Sequence, residues 1–175
     1  PPQDGDTLDF ALLTGSHDAG FQKKLLMQSA AGSFNTGFPR VGSASLGAVV
    51  LRGAAGAPTL VSAQGGQFTF LSSGAFTADK ATFTGVDSKG LQIASGAGPL
   101  AISSLTFAGG LLPGTTAINF HNGGLFIATF TNVAFESSNI GANVNASLLT
   151  ATSRITMSAS TGARAGPAFE NDPNG

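Results

Sequence analysis

The chain of 175 residues lacks cysteine, tryptophan and tyrosine, and few of its residues carry a charge. Without cysteine, disulfides, thiolate metal sites and thiol chemistry are excluded. Only 10% of the residues are charged, against about 25% in average soluble domains. A net charge of −1 provides no basic field for nucleic acid, and no apolar run approaches the ~18 residues of a membrane span. We therefore expect no nucleic-acid partner and no membrane span.

The sequence is rich in glycine and phenylalanine, with 25 Gly, and 14 Phe that make up all of its aromatic residues. A chain of this length fits one domain and is long enough to bury a core. Phenylalanine has no polar group on its ring, so it suits a dry core better than a sugar-binding platform. The abundance of Ser, Thr, Asn and Gly, together with the low charge, favours an extracellular or cell-surface location.

The first forty residues differ in pattern from the rest, and we treat 1–40 as an N-terminal segment. A short strand is predicted over Leu8–Leu13. An amphipathic helix is predicted over 16–32, where Phe21 and Leu25 share one face. So short a helix needs a surface to pack against, and the following domain would supply it. The helix is expected to act as a cap.

Three acidic residues stand close together near the start of the chain, at Asp4, Asp6 and Asp9. Their spacing is similar to that of oxygen ligands in Ca²⁺-binding loops. The alternative is a polar turn leading into a strand, because the glycine and glutamate positions of an EF-hand loop are missing. We predict no cofactor, with Ca²⁺ at these three aspartates as the one candidate metal.

From residue 41 onward, an apolar triplet recurs at positions −5, −2 and 0. The copies are Ala78/Ala81/Phe83, Ile102/Leu105/Phe107 and Phe130/Val133/Phe135, with a weaker copy ending in Ile155 and Met157. Their last positions are separated by 24, 28 and 22 residues. A second alternating pair lies between the copies, as Leu91/Ile93, Ile118/Phe120 and Val144/Ala146. A repeat of this period predicts a stacked architecture, whose units cannot bury their apolar faces alone.

The repeat favours coils of short parallel strands over a series of hairpins. Hairpins would show turn signals every 8–12 residues or so and no longer period. We predict an all-β, right-handed parallel β-helix over 41–175 as one structural unit. Phe83, Phe107, Phe135 and Met157 are expected to form a core ladder, about 4.8 Å apart. An early copy of the triplet is Leu46/Val49/Leu51, and the 32 residues from Leu51 to Phe83 fit the repeat badly. Either a loop is inserted near 54–67, or the first coil is irregular. The alternative fold is an antiparallel β-sandwich, pilin-like or capsid-like.

The stretches ISSLTFAGG and FTNVAFESS carry a family resemblance. They resemble the strand-corner motif of right-handed parallel β-helix proteins, namely the pectate-lyase-like superfamily and the passenger domains of secreted bacterial surface proteins. The resemblance covers about residues 75–175. It implies a fold more than an activity, since many functions share this architecture. It also implies that an amphipathic N-terminal helix, such as 16–32, caps the open end of the core.

The residues that could carry chemistry are few. His17 lies at the predicted helix start and His121 at a strand-to-turn junction, which suits capping and turn roles. No Gly-x-Ser-x-Gly elbow accompanies them. Asp79 and Asp87, with Lys80 and Lys89 nearby in sequence, would form a shallow ion site if they shared one outer face.

These features favour a non-enzymatic structural subunit that self-associates into a filament, sheath, adhesin stalk or shell. The ends of a parallel solenoid expose unpaired backbone edges, and low charge gives little protection against association. The expected partners are copies of the chain itself, with cell-surface components as a second class. The tail around Phe169 is a candidate assembly arm or a closing loop. The alternative is a polysaccharide-binding protein or Ca²⁺-dependent polyuronate lyase on the same scaffold.

Overall fold

The short apolar stretches form strands, and every ladder that joins two of these strands is parallel. The computed structural model describes residues 7–9, 24–27, 40–41, 48–63, 67–72, 75–94, 100–121 and 123–173. Its strands are β1 Thr7–Asp9, β2 Lys24–Met27, β3 Arg40–Val41, β4 Ala48–Arg52, β5 Thr59–Ala63, β6 Phe68–Ser72, β7 Ala75–Thr84, β8 Val86–Ile93, β9 Leu100–Phe107, β10 Thr115–Phe120, β11 Ile127–Thr131, β12 Val133–Phe135, β13 Ile140–Asn145, β14 Arg154–Ser158 and β15 Glu170–Asn171.

Two sheets form the walls of a parallel β-solenoid. The first follows the order β1-β4-β7-β9-β11-β14, with β2, β5 and β12 pairing beside that path. The second follows the order β3-β6-β8-β10-β13-β15. Successive strands of each sheet come from successive coils of the chain, as the sequence repeat predicts. The antiparallel β-sandwich is wrong, because it requires antiparallel neighbours within each sheet.

The predicted phenylalanine ladder is in register over three coils. Phe83 pairs with Phe107, and Phe107 pairs with Phe135. All three side chains are fully buried. The ring centroids are 5.9 Å apart at both steps, and the rings of Phe107 and Phe135 are parallel to within 1°. Each coil therefore covers the aromatic ring of the one before it.

Met157 belongs to a different column and does not follow Phe135. It pairs with Phe130, which pairs with Ile102, which pairs with Ala78. The backbone bends between these residues and the phenylalanine ladder, and the apolar alternation is the same on both sides of the bend. The spacing of apolar residues therefore could not show that Met157 precedes the bend, whereas Phe135 follows it.

The bend itself is marked by three non-glycine residues with positive φ. Lys80, Asn132 and Ala159 have φ of 54°, 52° and 55°. Asn132 and Ala159 directly follow the paired residues Thr131 and Ser158, so they occupy the same corner of successive coils. Asparagine visits this left-handed region readily, whereas lysine and alanine do so at a cost of about 1–2 kcal/mol. The stacking of neighbouring coils holds the corner in place.

The second sheet carries the other predicted apolar pairs into the core. Leu91 pairs with Ile118, and Ile118 with Val144. In the next inward column Ile93 pairs with Phe120. These residues join the phenylalanine ladder in one hydrophobic cluster. The sequence repeat thus identified the inward positions of both sheets.

The N-terminal segment is described at three short strands, and each of them pairs with a strand of the following coil. The capping helix predicted over 16–32 is not confirmed. Of its residues the structure describes Lys24–Met27, and these form strand β2, in parallel with β5. A short apolar run such as Leu25-Leu26-Met27 fits either structure by its periodicity. A loop lies at 53–58, between β4 and β5. Leu51 pairs with Ala78, and Val61 pairs with Phe83, so the early copy matches Leu51 to the wrong column.

The phenylalanine ladder gives a test of the fold. We expect Phe107→Ala to lower the free energy of unfolding by about 3–5 kcal/mol, because it leaves a cavity between two buried rings. Urea denaturation followed by circular dichroism measures this loss. The control Leu125→Ala removes a side chain that is 61% exposed, and its effect should stay within about 0.5 kcal/mol. Equal losses in both variants would contradict the stacked core.

Candidate functional site

The C-terminal end of the solenoid is the candidate functional site, and two strands form its edge. Strand β14 ends the first sheet and β15 ends the second. Within the described part of the chain, no strand pairs with the outer side of either one. Backbone N–H and C=O groups on that side have no strand partner among the described residues, and another strand can add to such an edge. We call this surface, formed by β14, β15 and Asp172, the terminal edge.

A ladder of three asparagines runs along the outside of the second sheet to the terminal edge. The side-chain Nδ2 of Asn145 donates to Oδ1 of Asn119, and Nδ2 of Asn171 donates to Oδ1 of Asn145, each at 2.9 Å. On its other side Asn119 pairs with the buried Gln92. At the terminal edge, Oδ1 of Asn171 accepts no hydrogen bond from any described residue. The ladder thus ends in an open acceptor.

Two acidic residues occupy the ends of core columns beside this ladder. Glu170 pairs with the buried Val144. Asp172 follows Asn171, at the position next to the buried Ala146. Glu170, Asp172, Val144 and Ala146 border a cavity of about 60 Å³. Its other lining residues are Leu149, Thr150, Ala151, Ser153 and Ile155. The cavity combines an apolar wall with two carboxyl groups.

The candidate assembly residue Phe169 lies in a short 3₁₀ helix, Pro167–Phe169, immediately before β15. The guanidinium of Arg164 stands over its ring, 4.9 Å from the centroid. Nη2 of Arg164 also donates to the carbonyl oxygen of Ser138 at 2.9 Å. These contacts hold the tail against the preceding coil. Phe169 thus contacts the coil that precedes it in this chain, and a role in assembly stays a prediction.

A second concave surface lies on the outside of the first sheet, beside the 53–58 loop. This outer groove measures about 280 Å³ and is lined on the loop side by Ala54, Ala55, Gly56 and Pro58, and on the sheet side by Lys80, Ala81, Thr82, Ser104 and Thr106. Lys80 forms an ion pair with Asp79, with Nζ and Oδ2 3.1 Å apart. Oγ of Ser103 donates to Oδ1 of Asp79 at 3.0 Å. The groove therefore offers hydroxyl groups and one half-exposed cation.

The acidic residues predicted to share an ion site are separated. Asp79 lies in β7 of the first sheet, whereas Asp87 lies in β8 of the second. The backbone N–H of Lys89 donates to Oδ1 of Asp87 at 2.9 Å, which closes a local turn. Among the described residues there is no group of three or more His, Cys, Asp or Glu that could hold a metal ion.

The remaining predicted residues lie at the ends of elements or outside the described ranges. Asp9 is the last residue of β1, while Asp4, Asp6 and His17 fall outside the described residues. His121 is exposed just after β10, and its backbone N–H donates to the carbonyl oxygen of Ile93 at 2.8 Å. This bond joins two coils, and the turn role of His121 stays a prediction.

The asparagine ladder and the acidic column ends were missed from the sequence. The asparagines recur at intervals of 26 residues, which lies within the range of the 24-, 28- and 22-residue intervals of the apolar repeat. That regular spacing was the signal available, but only the apolar positions were compared between copies. The roles of Glu170 and Asp172 depend on the pairing of β13 with β15, which a two-residue strand does not reveal.

No helix in the described ranges has both the length and the apolar character needed to cross a membrane. No protein-family description, curated protein or solved structure matches the chain.

The asparagine ladder should stabilise the last coils. We expect Asn145→Ala to lower the free energy of unfolding by about 1–3 kcal/mol, because it removes both side-chain bonds of the ladder. Chemical denaturation gives the value. The control Thr129→Ala changes an exposed residue of β11, and we expect a shift within about 0.5 kcal/mol. If the ladder contributes nothing to stability, the two variants should have the same free energy of unfolding.

Proposed function

We propose that this protein is a non-enzymatic structural subunit that associates with copies of itself, outside the cell or at its surface. The single observation that carries this proposal is the terminal edge, where β14 and β15 pair on one side only within the described part of the chain. Strand addition satisfies such an edge through backbone hydrogen bonds and requires no catalytic groups. The assembly would be a filament, sheath, stalk or shell.

The outer surface supports this proposal because it is weakly charged and locally apolar. Leu125, Ile127 and Leu148 are 61%, 76% and 54% exposed, all in the β11 region or the turn that follows β13. With 8 basic and 9 acidic residues in the whole chain, electrostatic repulsion between copies is weak. Lateral contacts between solenoids could therefore accompany pairing at the ends.

The proposal also covers the handedness of the solenoid and the type of β-helix protein that it resembles. We infer a right-handed solenoid, because connections between parallel strands of one sheet are right-handed in nearly all proteins. The strand-corner motif supports a relation to the pectate-lyase-like proteins or to the passenger domains of secreted bacterial surface proteins. Passenger-like architecture agrees better with a structural role, since few ionisable residues line the outer groove.

The outer groove favours a second candidate function, which is polysaccharide binding. Its hydroxyl groups, from Thr82, Ser104 and Thr106, match the hydrogen-bonding needs of a sugar chain, and Lys80 would attract a uronate carboxylate. A lyase reaction would require, in addition, Ca²⁺ and a base at the scissile unit.

Self-association is tested by dilution. We expect the weight-average sedimentation coefficient to rise steadily with protein concentration, and negative-stain micrographs of the concentrated sample to show repeating assemblies. Each added copy satisfies one edge and presents another, so growth should continue with concentration. Discrete ~17 kDa particles at every concentration would reject the proposal; the mass is that of the single chain.

Polysaccharide binding is tested at Lys80. We expect Lys80→Ala to weaken binding of polygalacturonate by about fivefold, corresponding to the loss of one partly exposed charge contact. Isothermal titration measures the affinity, with Lys89→Ala in the second sheet as the matched control. Release of products absorbing in the ultraviolet on addition of Ca²⁺ would favour the lyase. Absence of binding by the unaltered chain would remove this candidate.

A further inference from the structure

We propose that residues 160–171 form a lid over the C-terminal end of the solenoid, and that a second copy adds to the second sheet when this lid opens. The inference rests on the proposed self-association and names the step that controls it. The lid begins after Ala159, crosses from the first sheet to the second and ends in β15. It contains Phe169, the candidate assembly residue.

The lid takes the place of a fourth ring in the phenylalanine ladder. Thr161 pairs in parallel with Ala134, so Gly162 occupies the position next to Phe135. The φ of Gly162 is 99°, and a Cβ atom on it would clash with the carbonyl oxygen of Phe135. Glycine permits both this backbone conformation and this close approach. Phe135 is fully buried although glycine follows it in the ladder, and Ala165 of the lid packs against the same hydrophobic cluster.

A buried asparagine clasps the middle of the lid. Asn143 is 1% exposed, and its side-chain Nδ2 donates to the carbonyl oxygens of Arg164 at 3.1 Å and Gly166 at 3.0 Å. Its Oδ1 accepts a hydrogen bond from the backbone N–H of Val144. The buried amide thus uses both of its donated hydrogen bonds on the lid. These two bonds fix the closed position, and they break together when the lid lifts.

The lid is held by polar contacts more than by burial. No residue from 159 to 173 is buried, whereas the preceding coil buries Val133 and Phe135. Segments with few buried apolar contacts open at a lower free energy than the core does. Ala159, at the base of the lid, has a left-handed φ of 55°, which alanine adopts only at a cost. Opening relaxes this residue, so the lid can lift while the inner coils stay folded.

The closed lid leaves little of the second sheet for another strand to pair with. Strand β15 has two residues and pairs with Val144 and Asn145 of β13, which has six residues. A very short edge strand and an exposed charge such as Glu170 are features that oppose edge-to-edge association. When the lid lifts, the longer edge of β13 becomes a template for a parallel strand of a second copy. An added copy therefore continues both sheets only after the lid has opened.

The lid protects two backbone amides that report on its opening. The N–H of Phe135 donates to the carbonyl oxygen of Thr161 at 2.8 Å, and the N–H of Ala146 donates to that of Asn171 at 2.9 Å. The N–H of Ala108 bonds within the inner coils and serves as the reference. Hydrogen exchange at these three amides therefore measures lid opening independently of assembly.

A single methyl group tests whether the lid opens as a unit. In Gly162→Ala the added Cβ would clash with the backbone of Phe135, and alanine disfavours the positive φ, so the lid is held open. We expect the two lid-bonded amides to exchange about tenfold faster, while the rate at Ala108 stays unchanged. Gly109→Ala is the matched control, because a Cβ at Gly109 meets no atom within 4 Å. Unchanged rates in Gly162→Ala, or an equal acceleration at Ala108, would overturn a separately opening lid.

A disulfide across the last strand pairing tests whether the lid controls assembly. Asn145 and Asn171 are paired in parallel strands, whose Cα atoms lie about 4.8 Å apart, within the range that a disulfide spans. The unaltered chain has no cysteine, so Asn145→Cys/Asn171→Cys, oxidised at low protein concentration, forms one bond that locks the lid shut. We expect reduction of this bond to lower the protein concentration needed for half-maximal assembly by about tenfold. The unaltered chain should assemble alike with and without reductant.

The outcomes separate the lid from the proposed function. Equal assembly of the locked and reduced forms, or stronger assembly of the locked form, would overturn control by the lid and leave self-association standing. If the unaltered chain and the reduced variant both stay monomeric at every concentration, self-association is rejected, and control of assembly by the lid is rejected with it. Hydrogen exchange in Gly162→Ala would in that case still decide whether the lid opens as a unit.

Discussion

In-register stacking of parallel coils is the constraint on which the rest of this structure depends. One coil is too thin to enclose its own inward side chains, so Phe107 is buried only because Phe83 and Phe135 lie on either side of it. Hydrophobic burial is proportional to the apolar area removed from water, and here neighbouring coils remove it. The stability of each coil is therefore tied to its neighbours, as in other repeat architectures.

The same dependence explains why the ends of the solenoid are chemically special. Interior coils satisfy their backbone groups on both sides, whereas among the described strands β14 and β15 do so on one side only. At the terminal edge the two sheets end with different kinds of residue. The first ends with the apolar residues Ile155 and Met157, which are partly buried, and the second with Glu170 and Asp172. An edge of this kind can be satisfied when a further strand adds to it.

Polar side chains outside the core also follow the repeat. The asparagines alternate with the inward residues along the strands of the second sheet. The strand register that aligns the asparagines is therefore the same register that aligns Ile118 with Val144. A slip of one residue would bury the asparagines and expose the apolar side chains. Asn119, Asn145 and Asn171 therefore reinforce the pairing that the core requires. The outer groove depends on a local insertion, the 53–58 loop, and not on the repeat.

By itself the sequence determined the repeat, the parallel solenoid and the inward positions of three coils, because burial against a neighbour requires apolar residues at a fixed period. It left open on which side of the bend Met157 lies, since alternation with a period of two looks the same on both sides. A short apolar run likewise could not distinguish the helix predicted over 16–32 from strand β2. Tertiary structure decided that Glu170 and Asp172 end core columns and that Asn171 ends a ladder. These roles come from pairing between distant segments, which no local pattern encodes.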